Sequence, residues 1–186
     1  MGGSGPASRS ESKSGLLLLA ASLLACSVSS PATEIREALS RPAPLSVPAG
    51  NASLSLRRAK FSDVEVAAEG GRAQVVAVVD ADGVVSVAGG EIALGYVGRE
   101  AFEMQRCARA RWCATGSPVP ALAGVVEALA SAPPEPGRRP VAWQIRVERD
   151  RATVGEDAAG PGGAPARRRT LAFVWVDGRW RVAPGP

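Results

Sequence analysis

The 186-residue chain has no histidine, and that absence alone removes a large part of enzyme chemistry. A Ser-His-Asp triad, a Cys-His pair, a His-ligated metal and an imidazole pH switch all need a residue that is missing. Lysine is nearly missing too. Of the 22 basic residues only Lys13 and Lys60 are lysine, and the other 20 are arginine. Aromatic residues make up 4% and include a single tyrosine, which argues against a surface that stacks on bases. The net charge of +4 is also too small for the electrostatic footprint of a nucleic-acid binder, so no nucleic-acid partner is expected. What remains is ordinary: 46% hydrophobic and 22% charged residues, in a length that suits one domain with a real core.

Residues 1–15 are polar and rich in Gly and Ser, and Leu16 to Ala25 form an unbroken apolar run. As a helix this run spans about 15 Å, half of a bilayer core of roughly 30 Å. It is too short to cross and suits the apolar region of a signal peptide. The run ends in Leu23-Leu24-Ala25-Cys26, which resembles the lipobox of bacterial lipoproteins. The resemblance implies removal of residues 1–25, acylation of Cys26 and a membrane anchor. Ser27, a non-Asp residue after the cysteine, resembles an outer-membrane sorting signal, which implies an exported protein facing the periplasm. The alternative is an ordinary signal peptide cut a few residues later, with Cys26 removed or left free.

With Cys26 assigned to lipid, Cys107 and Cys113 are left, and an oxidising compartment favours a disulfide between them over two buried thiols. Six residues apart, they would sit about 9 Å from each other on a helix and about 20 Å on a strand. A bridge therefore requires the segment CARARWC to fold back as a tight loop.

Along the rest of the chain, Ser30-Pro31 predicts an N-cap and first helical turn, with a short helix over 32–41 that could equally be tether. Residues 40–51, with three prolines, read as an extended linker. The expected organisation is a signal peptide at 1–25, a lipidated tether at 26–51 and one domain at 52–186. From Ser53 the pattern is mainly β. Gly70-Gly71, Asp80 to Gly83 and Gly89-Gly90 read as turns between strands, and residues 99–106 fit strand or helix equally well. Leu122, Val125, Val126 and Leu129 share one face of a helix starting near Ser117-Pro118. Alternating residues from Val141 to Val147 predict another strand, and 157–166 a loop with nothing to pack. Asp177-Gly178 predicts a type I′ hairpin turn, flanked by Trp175 and Trp180. The fold class is α+β: a curved antiparallel sheet of about six or seven strands with one or two packed helices.

No catalytic constellation, cofactor site or metal site is expected. Asp80, Asp82 and Gly83 resemble only a fragment of a calcium loop, and the glycines at 160–163 have no Lys-Ser/Thr after them to make a phosphate loop. The remaining acid–base candidates are Glu65, Asp80, Asp82, Glu91, Glu100, Glu103, Glu148 and Glu156. Tyr96, on an otherwise apolar face with Arg99-Glu100 following, is the least ordinary polar cluster. The runs Arg106/Arg109/Arg111, Arg138-Arg139 and Arg167-Arg168-Arg169 read either as an anionic-ligand surface or as solvated strand ends.

The strand Arg151-Ala152-Thr153-Val154, a loop, and then LAFVWVDGRWRV at 171–182 resemble the closing strands of NTF2-like (cystatin-like) domains. That resemblance implies a cone-shaped fold found mostly in small-molecule binders and in a minority of enzymes. The expected function is a non-enzymatic envelope module that binds or assembles with another envelope protein or an anionic envelope component. The alternative is an NTF2-like enzyme with a buried carboxylate as general base, its best candidates being Asp80, Glu91, Glu100 and Glu103.

Overall fold

A computed structural model describes residues 29–108, 111–133, 135–163 and 166–183. The signal-peptide and lipidation readings, Cys26 included, lie outside the described residues.

The protein is α+β. Among the described residues nine strands form one open sheet, with two α-helices on it. Helix α1 (Pro31–Leu39) opens the fold, capped by Ser30, whose hydroxyl accepts from the Thr33 amide, with proline at its first turn. Strand β1 (Ala43–Ala49) pairs with β2 (Ala52–Glu69), which pairs with β3 (Arg72–Val87), which pairs with β4 (Gly90–Arg106), all antiparallel. Short β5 (Trp112–Ala114) folds back on the end of β4. Helix α2 (Pro120–Ser131) then crosses over, and β6 (Arg139–Glu148) pairs with β4 in parallel. The chain closes with β7 (Arg151–Ala159), β8 (Arg167–Val176) and β9 (Arg179–Val182), antiparallel in turn.

Several expectations change. The strands number nine rather than six or seven, and the β4–β6 ladder is parallel in a sheet expected to be antiparallel throughout. The linker at 40–51 is largely strand β1. Its prolines fit because β1 is an edge, paired on one side only. Ile35 of α1 and Val47 and Ala49 of β1 are buried, so the folded unit begins before Ala52. Asp80 to Gly83 are not a turn but the middle of β3. Ala81 and Gly83 keep the inward alternation, and the two aspartates face out opposite Lys60 and Arg58. A Cβ on Gly83 would lie 2.3 Å from the Ser55 carbonyl oxygen, beside a β2 bulge, so this glycine marks a close backbone approach. Residues 99–106 are strand, and β7 runs through Asp157 and buried Ala158 to Ala159.

Other expectations match. The Asp177-Gly178 turn has positive φ at both residues, 52° and 76°, as type I′ requires. Cys107 and Cys113 form a disulfide with a Cα–Cα distance of 6.0 Å, and the Cys107 amide donates to the Arg111 carbonyl to tighten the loop.

The core has two parts. The larger lies under α2 and takes in Leu54, Val79, Leu94, Tyr96, Ile145, Phe173 and Trp180 among others. The smaller lies under α1 and holds Ile35, Ala73, Val75, Phe102 and Met104. On the inner face of β4, Tyr96 belongs to the first and Phe102 to the second. Gly98 and Glu100 sit between them.

Candidate functional site

Alternation along β4 dictates what happens at this junction. Residues 92, 94, 96, 98, 100, 102 and 104 all point inward, so a charged residue at 100 must enter the core. Glu100 is 0% exposed. Burying a carboxylate is costly unless donors surround it, and three do. The Tyr96 hydroxyl donates to Oε1 at 2.5 Å, the Leu122 amide donates to the same oxygen at 2.9 Å, and the Ala121 amide donates to Oε2 at 2.8 Å. Val119, the N-cap of helix α2, gives no side-chain cap. Glu100 supplies that cap from the neighbouring strand, satisfying two amides that would otherwise be orphaned.

Gly98 makes the contact possible. A Cβ there would lie 2.3 Å from the Tyr96 hydroxyl oxygen. Burial raises the Glu100 pKa above the ordinary carboxylate range, and the bonds from Tyr96, Leu122 and Ala121 pull it back only in part. Tyr96 is also raised, first by burial and then by the charge of Glu100. Both groups therefore hold their protons more tightly than they would in water.

Next to this junction, the closing hairpin meets α2. Trp175 and Trp180 are cross-strand partners with ring centroids 5.5 Å apart at 66°. Trp180 is buried against Gly124, where a Cβ would lie 2.8 Å from its Cδ1. Its Nε1 has no hydrogen-bond partner among the described residues. Trp175 remains 47% exposed. It overlooks an open groove of about 600 Å³ whose walls include Gly50, Gly124, Glu127, Trp180 and Arg179.

The other candidate residues lie apart. Asp80, Glu91 and Glu103 are exposed, Glu103 accepting from the Gln74 side chain at 2.6 Å. Glu65 pairs with Arg99 at 2.7 Å, Asp82 with Arg58 at 3.3 Å and Glu148 with Arg146 at 3.8 Å, all on the outer surface. Glu156 is buried, joining the Trp143 indole N–H at 3.1 Å to the Arg169 guanidinium at 2.6 Å across three adjacent strands. Two of the three arginine runs meet, at Glu135, and the third has other partners. Arg106 meets Glu34 and stacks on Trp112, Arg138 and Arg167 share Glu135, and Arg168 grips Asp157 through two bonds. Arg168 holds the Asp157 carboxyl below its usual range. Arg109 lies outside the described residues. Among the described residues no three His, Cys, Asp or Glu side chains gather where they could hold a metal, and no helix is long and apolar enough to cross a membrane.

Sequence reasoning singled out Tyr96 and Glu100 but missed Gly98, the α2 amides and the Trp143–Glu156–Arg169 chain. A glycine at an inward position between two polar inward positions was the available signal for the first. Comparison of the chain with protein-family models, with curated proteins and with solved structures finds no match.

Proposed function

We propose that the protein is a non-enzymatic binding or assembly module of the bacterial cell envelope, tethered through lipid on Cys26 and facing the periplasm from the outer membrane. The observation that carries the binding half is the groove beside half-exposed Trp175. The most buried carboxylate, Glu100, is meanwhile engaged by three donors of its own chain. A large exposed aromatic over a concave, partly polar wall is the composition of a recognition surface. The Leu23-Leu24-Ala25-Cys26 motif and the Cys107–Cys113 disulfide support export.

The test has two arms. Metabolic labelling with an alkyne palmitate analogue marks wild type and spares Cys26→Ala; equal labelling or none ends the tether reading. In-cell crosslinking from a photoreactive residue at Trp175 captures a defined envelope component, and capture of nothing ends the binding reading.

A second reading follows from the burial that raises Glu100: an NTF2-like enzyme with this carboxylate as general base. Carbodiimide coupling to an amine probe separates the two. A base that meets substrate is modified in the native protein, whereas a carboxylate serving only as a helix cap is protected until the protein unfolds.

A further inference from the structure

At the far end of α2 from Glu100 lies a second concavity, which shares no lining residue with the tryptophan groove. Its volume is about 280 Å³. Val87, Ile92, Leu129 and Trp143 form its walls, and Arg138 and Arg139 stand at its rim. Ile92, Leu129 and Trp143 are members of the main core, so the floor of this open notch is the edge of that core. The two arginines differ. Arg138 is committed to Glu135 at 3.6 Å and to the Ala158 carbonyl at 3.4 Å. Arg139 is exposed and has no ion-pair partner among the described residues. It lies across the β3–β4 turn because Gly90 has no side chain, and a Cβ there would lie 2.6 Å from Arg139 Nη2.

An apolar notch with an unpaired guanidinium at its mouth fits one kind of ligand. We infer that this notch binds a single acyl chain ending in an anionic head group, a free medium-chain fatty acid. The chain lies against Leu129, Ile92 and Trp143 while the carboxylate meets Arg139. Charge complementarity gives the orientation, because a planar guanidinium donates two parallel hydrogen bonds to a carboxylate. Size gives the chain length. At the roughly 30 Å³ that one water occupies in the liquid, which is close to the share of a methylene, this notch, open to solvent on one side, holds at most about nine or ten carbons. The inference goes beyond the envelope-module reading and stands or falls separately, since a partner captured through Trp175 uses other residues.

The test titrates the purified chain, below micelle-forming concentrations, with saturated carboxylates of increasing length and with decanol as the uncharged control. Binding is expected to tighten about fourfold per added methylene and to level off near ten carbons. Decanol and the Arg139→Gln variant should each bind about tenfold more weakly. Ala88 lines the same notch in the exposed β3–β4 turn, so Ala88→Phe should block decanoate while leaving the circular dichroism spectrum unchanged. Affinity that keeps rising well past ten carbons overturns the inference in favour of unspecific partitioning. So does decanoate binding that is insensitive to both Arg139→Gln and Ala88→Phe, or no binding at all.

Discussion

Tyr96 and Glu100 touch over the top of Gly98: the one inward residue between them has no side chain, and the hydroxyl and carboxylate occupy the vacated space. Gly98→Ala therefore places a methyl group where the tyrosine oxygen lies and should destabilise the fold by about 1–3 kcal/mol. Denaturant unfolding measures this. The same substitution in a Tyr96→Phe background should cost clearly less. Equal costs in the two backgrounds would place the clash elsewhere, for instance against Val147, whose Cβ would be 3.0 Å away.

Glu100→Ala leaves two amides of α2 and the Tyr96 hydroxyl without an acceptor, an expected loss of about 1–3 kcal/mol. The pH dependence has a definite sign. Folded Glu100 holds its proton more tightly than unfolded Glu100, so between the ordinary and the raised value the native state binds more protons. This contribution is fully present below the ordinary carboxylate value and is lost as pH rises through the raised one. Wild type should thus lose stability relative to Glu100→Gln as the pH rises above the ordinary carboxylate range, measured as unfolding midpoints. A flat difference over that rise would contradict it.

Buried and exposed ion pairs in this sheet should behave differently. Removing Glu156 strands the Trp143 indole N–H in the core, and Glu156→Ala is expected to cost about 2 kcal/mol. Arg99→Gln breaks only the exposed pair with Glu65 and should stay within about 0.5 kcal/mol of wild type. Thermal unfolding of both variants checks the contrast.

Cutting the Cys107–Cys113 bridge, by reduction or as the double Cys→Ala variant, frees a short loop and should lower stability by about 2 kcal/mol. The effect should be local. Amide exchange is expected to quicken in β5 and around Trp112, while α2 keeps its protection. Uniform loss of protection would show that β5 is integral to the whole sheet.

Local chemistry made much of this legible. The Asp177-Gly178 turn, the Ser30-Pro31 helix start and the apolar face of α2 each rest on neighbours a few residues apart, and each appears where the sequence puts it. Asp80-Ala81-Asp82-Gly83 misled because turn residues also serve where a strand passes close to its neighbour. Only the Ser55 backbone, far off in sequence, reveals that. The prolines of β1 misled because a proline is tolerated on an edge, and edges are a property of the assembled sheet. Tyr96 and Glu100 stood out, but their partners at 121 and 122 are amides, which every sequence has and none advertises. The parallel β4–β6 ladder depends on how α2 returns the chain.

That ladder gives the molecule a seam. On one side β1 to β4, and on the other β6 to β9, are meanders whose pairings join chain neighbours. Among the described residues only Ala93–Gly98 against Ala142–Val147 stitches the two together within the sheet. Contacts that close long loops form late, so the two halves should assemble early and the seam last. Pulse-labelled exchange during refolding should protect the β2–β3 amides before those of Ala142–Val147.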